Sequence, residues 1–253
     1  MLGPVTTFVT AFYVVKDYNN PGKSTEGYFN HFKKLVATGI PLSVYISPEY
    51  TDQLELIAKE HLNVKISKVI DIKDTLTYKI SNVPNIRLPE NRNLLKDTFE
   101  YMVCQNSKIE CIADTIEKNP FNTEQFAWID FGIFHVIKDV EKSSNMLRKI
   151  ANTHLVKDTL LFPGCWFGNY DYITNINWCF CGGFGIGYKG KFIDMWNRYQ
   201  TYLPKFIQKY NLMTWEVNIW TSMMTETDWI VERYVGDHND KILQIPDQYF
   251  VIY

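Results

Sequence analysis

Residues 5–15 form an almost unbroken β-branched and aromatic run, the pattern of a strand covered on both faces. After a turn-rich gap over residues 17–22, Ser24 stands where a helix cap is needed. Tyr28, Phe29, Phe32, Leu35 and Val36 then recur at helical spacing, and Gly39 and Pro41 close the helix. Residues 42–46 read as a second strand. A short helix capped by Thr51 carries Leu54, Ile57 and Ala58, and residues 64–70 read as a third strand. This β-α-β-α-β order predicts a parallel sheet with crossover helices.

The pattern weakens over residues 71–92, which read as loop with one short strand. Residues 93–118 predict a single helix with an apolar face of Leu94, Leu95, Phe99, Met102, Ile109, Ile112, Ala113 and Ile116. An apolar strand over residues 126–133 follows, interrupted by one acid, Asp130. Residues 140–152 predict a helix, 159–162 a strand, and 177–181 a strand running into the glycine-rich GGFGIG of residues 182–187. The helical pattern of residues 191–210 contains Pro204, whose missing N–H predicts a break or a fresh start. Thr214 is placed to cap a last helix, and residues 229–235 read as a closing strand. With no repeat, linker or low-complexity tract, the reading is one α/β domain.

Composition narrows the function classes. The chain has 253 residues, and its 46% hydrophobic and 15% aromatic content is enough to build a core, which excludes wholesale disorder. Lys+Arg at 26 against Asp+Glu at 28 leaves a formal charge of −2, too balanced for binding nucleic acid by phosphate neutralisation. The long uncharged runs, residues 5–15 and 175–188, fall short of the roughly 20 apolar residues that a spanning helix needs. The first segment lacks the basic region and small-residue cleavage site of an export signal, so a soluble, cytoplasmic protein is expected. Five cysteines, an odd and sparse set, read as reduced and packed. Cys179 and Cys181 form a C-x-C pair that a strand would put on one face. A zinc site there needs two further ligands, which the nearby sequence does not supply.

A few residues stand out as chemistry. Asp130, an isolated carboxylate in an apolar strand, is costly to bury unless it is paired or holds a cation. At the carboxyl end of a central strand it is a candidate metal ligand, with a turn cap or an ion pair as the bland alternative. His238, in YVGDHND, is a candidate to complete a divalent-cation site beside carboxylates, although a polar loop also hosts solvated histidines. Asp237 and Asp240 are substitutes for it. Glu216 opens a helix, where the dipole favours a carboxylate, and Trp215 and Trp220 could make its pocket dry enough to tune it as a base. GGFGIG lacks the spacing of a dinucleotide fingerprint. Its glycines allow close approach, with Trp178, Phe184 and Tyr188 as stacking surfaces. His31, His61, His135 and His154 have no motif context and read as structural.

FVTAFY, WIDFG, WCFCGGF, TWEVNIW and the late GDH, taken in this order, resemble the bacterial HtrL/YibB-type proteins, a group related to GT-A glycosyltransferases. The resemblance spans roughly Val5 to Asp240. It implies a single-domain GT-A-like α/β fold, a mostly parallel central sheet flanked by helices, with a donor-binding half over about residues 1–135 and an acceptor half over about 136–253. It implies a glycosyltransferase that moves a sugar from a nucleotide-diphosphate sugar, expected to be a UDP-sugar, to an acceptor hydroxyl on a glycan or glycoconjugate. The implied cofactor is Mn²⁺ or Mg²⁺. Position by position, Asp130 matches the first acid of the D-x-D element and His238 a late histidine ligand. Thr10, Ala11 and Phe12 match the nucleoside-holding end of the first strand, and Lys108 and Gly132 join them on the donor side. Trp178, Gly182, Gly183 and Phe184 match the acceptor side, and Glu216 matches the acid near the reacting sugar carbon. The element reads Asp130-Phe131-Gly132, so its second acid is missing; diphosphate oxygens and water are then needed to complete a metal's coordination. Two other readings use the same residues: a non-catalytic nucleotide-sugar or glycan binder, and a metal-dependent nucleotide-sugar hydrolase.

Overall fold

In a computed structural model, which describes residues 3–13, 24–168 and 171–251, seven strands form one sheet. They are β1 (Thr6–Phe12), β2 (Leu42–Ile46), β3 (Val64–Val69), β4 (Gln125–Ile129), β5 (Leu160–Gly164), β6 (Phe184–Tyr188) and β7 (Glu232–Val235). Their order is β3-β2-β1-β4-β6-β5-β7. The pairings β1–β2, β1–β4, β2–β3 and β5–β7 are parallel, and β6 runs antiparallel to β4 and β5. The fold is α/β with a mostly parallel sheet, and that sheet passes without interruption through both halves of the chain.

Among the described residues eight α-helices flank the sheet: α1 (Thr25–Ala37), α2 (Thr51–Glu60), α3 (Leu76–Ser81), α4 (Phe99–Asn106), α5 (Lys108–Lys118), α6 (Val140–Asn152), α7 (Lys189–Tyr210) and α8 (Glu216–Glu226). Side chains alternate across the strands, so the sheet separates two cores. Phe8, Ala127, Ile129 and Leu161 pack with α1, α2 and α6. Val9, Phe126, Trp128 and Phe162 pack with α4, α5, α7 and α8. Burial on both faces is what the near-continuous apolar runs demanded.

Several local expectations need correction. The first strand's continuation to Val15 and the turn over residues 17–22 lie outside the described residues. Residues 71–92 hold a helix, α3, capped by Thr75, whose hydroxyl accepts from the Tyr78 N–H; in place of a strand there is an isolated bridge, Arg87 to Leu212. The segment over residues 93–118 is a turn up to Thr98, which leaves Leu94 and Leu95 exposed, followed by two helices broken at Ser107. Thr51 is the first residue of α2 and its hydroxyl donates back to Pro48 O, so it caps nothing. Thr214 likewise takes the Asn218 side-chain amide on its hydroxyl and leaves Trp215 as the α8 cap residue. The helix α7 runs through Pro204 without a break, held by Tyr199, Tyr202, Leu203 and Phe206 in the core. Tertiary burial there outweighs the one hydrogen bond that Pro204 cannot make.

The glycine-rich run holds the largest shift of register. The strand is Phe184–Tyr188 itself, and residues 177–181 form the turn before it. A Cβ on Gly185 would stand 2.2 Å from the Phe162 ring of the neighbouring strand, so that glycine lets a large aromatic side chain cross the sheet face. Because the turn is not a strand, Cys179 and Cys181 do not share a face: they pack into different cores.

Candidate functional site

In the strand order, β1 stands between β2 on one side and β4 on the other, and a crevice opens outside their carboxyl ends, where open α/β sheets bind ligands. Asp130 follows β4 immediately, and its N–H donates to Gly183 O at 2.9 Å. Two residues back on the same strand, Trp128 donates its indole N–H to Asp130 Oδ1 at 2.7 Å. Lys108 opens α5 and Glu216 opens α8, so two helix N-termini meet beside that aspartate. The Lys108 ammonium donates to Glu216 Oε1 at 2.8 Å and to Gly182 O at 2.9 Å, and lies 3.1 Å from Asp130 Oδ1.

A carboxylate at a helix N-terminus is favoured by the dipole, whereas an ammonium there is opposed and must find anionic partners. Both Lys108 and Glu216 are buried, at 3% and 4% exposure, so each needs the other. Burial alone pulls the Lys108 pKa down. Asp130 and Glu216 outweigh it and hold the group above the usual lysine range, so it is a permanent cation at neutral pH. Gly182 makes the arrangement possible: a Cβ there would lie 2.0 Å from Glu216 Oε1.

The crevice encloses about 820 Å³, within the usual range for small-molecule sites. Phe12, Tyr28, Tyr50 and Phe131 form an aromatic cluster on its lining, with Phe12 and Phe131 stacked at 4.9 Å. Trp178, Trp215, Gly182 and Gly183 line it as well. Three carboxylates, Glu26, Asp130 and Glu216, face it against two ammoniums, Lys96 and Lys108. His238 lines the same wall, edge-on to Trp178 at 4.4 Å, with Nδ1 3.5 Å from Asp237. Burial lowers the His238 pKa more than the Asp130 and Asp237 charges raise it, so the ring is neutral at neutral pH.

Of the residues singled out in the sequence, Ala11, Phe12, Lys108, Asp130, Gly132, Trp178, Gly182, Gly183, Glu216 and His238 all line this crevice. Thr10 and Phe184 do not. Thr10 is fully buried in β1, and its hydroxyl finds no hydrogen-bond partner among the described residues. Phe184 is fully buried at the start of β6. His135, read as structural, lines the crevice too, its Nδ1 2.8 Å from Gly132 O. Trp128, Tyr28, Tyr101 and Lys96 also line it and went unnoticed. Of these only Trp128 carried a signal, since it stands two positions before Asp130 in an alternating strand.

The donor set for a divalent cation is small. Asp130 Oδ1 is occupied by Lys108 and Trp128, which leaves Oδ2, and His238 offers a neutral imidazole. The position of the missing second acid is closed by packing: a Cβ on Gly132 would lie 2.6 Å from the Tyr28 ring. A cation held by Asp130 and His238 would therefore have two protein ligands and would need oxygens of a bound anion and water for the rest.

The molecule is thus an α/β protein with a buried Lys-carboxylate cluster at the carboxyl edge of a mostly parallel sheet. It belongs to the family described as bacterial protein of unknown function (HtrL_YibB), whose sequence model matches residues 5–157. Over 149 residues it is 28% identical to Protein HtrL of Escherichia coli (strain K12), an alignment that covers 51% of this chain and 52% of that protein. The chain therefore spans about half the length of the curated relative it matches. Among solved structures, mouse xyloside xylosyltransferase 1 in its apo form is similar with a TM-score of 0.45 and 9% identity, over 92% of this chain and 86% of that one. Among the described residues, no helix is long and apolar enough to cross a membrane.

Proposed function

We propose that the crevice binds a nucleotide-diphosphate sugar and that the protein transfers the sugar to an acceptor hydroxyl on a glycan or glycoconjugate, on a GT-A-like scaffold. The observation that carries this reading is the Lys108 ammonium fixed between Asp130 and Glu216 at the sheet's carboxyl edge. The aromatic cluster of Phe12 and Tyr50 suits a nucleobase, and Trp178 and Gly183 suit a sugar and its acceptor. Asp130 and His238 would hold Mn²⁺ or Mg²⁺, which supplies positive charge to the diphosphate. The charge of the wall supports that need. Three carboxylates against two ammoniums repel a diphosphate, and one divalent cation reverses the sign. Lys108 gives fixed positive charge to the departing nucleoside diphosphate. Glu216 holds Lys108 through Oε1 and in this reading takes the acceptor's proton.

A second reading, binding without turnover, is favoured by one observation: the same Glu216 carboxylate is committed to a buried ion pair. The test is a thermal-shift panel of UDP-, GDP- and CMP-sugars with and without Mn²⁺, followed by product detection with added acceptors. A ligand at 100 times its Kd adds about 2.7 kcal/mol. The transferase reading expects a Mn²⁺-dependent shift, lost in Asp130→Ala, together with transferred product. A shift without product selects the binding reading, and a full shift in Asp130→Ala removes the site assignment.

A further inference from the structure

We propose that Cys165, Cys181 and Asp237 form a binding site for a thiophilic divalent cation, best matched by zinc, distinct from the crevice. Their ligand atoms, two sulfurs and a carboxylate oxygen, lie within 4.8 Å of one another. The three residues are remote in sequence. Cys165 follows β5, Cys181 sits in the turn before β6, and Asp237 follows β7.

Main-chain bonds bring them together without help from a metal. The Cys165 N–H donates to Trp178 O at 3.0 Å, the Cys181 N–H to Pro163 O at 2.7 Å, and the Gly236 N–H to Gly164 O at 3.1 Å. Gly164 permits this closeness, since a Cβ there would stand 2.0 Å from Cys179 O. The site is therefore preorganised. Around a tetrahedral zinc with Zn–S of about 2.3 Å, two sulfurs stand roughly 3.8 Å apart. Closing from the 4.8 Å limit asks for side-chain movement of about 1 Å at most.

The donor chemistry selects the ion. Two thiolates and one carboxylate suit zinc, whereas magnesium and manganese prefer oxygen. On binding, each thiol releases its proton to solvent and its sulfur donates a lone pair to the metal, with no change of oxidation state. The metal with its three protein ligands then carries a net charge of −1. Cys181 is buried, Cys165 partly buried and Asp237 exposed, so the ion enters from the Asp237 side, where water takes the fourth position. The ion would pin together the turn that carries Trp178, Gly182 and Gly183 and the loop that carries His238, and so order one wall of the crevice.

The experiment uses the reduced full chain, stripped with a chelator and titrated with Co²⁺ alone. The expected result is thiolate-to-cobalt charge-transfer absorption that saturates at one equivalent and is abolished by Zn²⁺. Cys165→Ser, at the partly exposed position least able to disturb folding, loses the band while keeping wild-type circular dichroism. Asp237→Asn weakens binding by at least the 10–100-fold that loss of an outer-shell partner costs. Asp130→Ala keeps the band, which separates this site from any cation in the crevice. No band in the folded wild type, or a band that survives Cys165→Ser/Cys181→Ser, overturns the proposal.

Discussion

Replacing Lys108 with Met removes the ammonium from between two carboxylates and leaves an apolar chain of similar length. The two partners do not suffer equally. The Asp130 side chain is 37% exposed, so solvent relieves most of its loss, whereas Glu216 at 6% is left as an uncompensated buried charge. Breaking one side of a buried pair costs about 3–5 kcal/mol, and at roughly 2–4 °C per kcal/mol for a chain of this size the melting temperature falls on the order of 10 °C. The pH dependence has a definite sign. In the wild type the Lys108 pKa is raised, so its stabilisation is complete below the usual lysine range and is lost only as pH climbs through that raised value. Across pH 5–8 its contribution is flat. The deficit of Lys108→Met is therefore expected at both ends of this window. Adding Glu216→Gln removes the stranded charge and restores part of the loss. Thermal melts of the three proteins at pH 5 and pH 8 measure this. A variant that melts within 2 °C of the wild type at either pH refutes the reasoning.

Other changes separate site geometry from packing. Gly182→Ala puts a methyl 2.0 Å from Glu216 Oε1 and must displace it from Lys108; a loss of about 1–3 kcal/mol together with loss of nucleotide-sugar shifts is expected in melts with and without ligand. Gly185→Ala meets the Phe162 ring at 2.2 Å, and neither residue lines the crevice, so it should cost a similar amount of stability in denaturant titrations while the ligand shift persists. Trp128→Phe deletes the 2.7 Å donor to Asp130 Oδ1. The loss is about 1–2 kcal/mol, since the acceptor is charged but partly solvated, and Mn²⁺ affinity measured by calorimetry should change with it.

How much the chain disclosed about itself follows from the range of each interaction. The β-α-β-α-β opening was readable because each element is set by its own apolar period, and covering both faces of the sheet demands the long apolar runs seen at β1, β2 and β4. Asp130 and Glu216 drew attention for local reasons, a carboxylate in an apolar strand and an acid at a helix start. The break at Ser107, the helix over residues 76–81 and the position of β6 escaped, because there packing against distant segments outweighs a weak local preference. Lys108 had no local signal at all: Asp130 lies beyond the rest of α5 and β4, and the other two partners lie 74 and 108 positions away. The same holds for Cys181, whose sequence neighbour Cys179 turns into the other core while Cys165 and Asp237 arrive from different strands. Sequence alone determined which residues must be covered and which acids were out of place. Only the tertiary structure decided which charges and thiols meet, because a contact across the sheet depends on strand order and register, which no local period encodes.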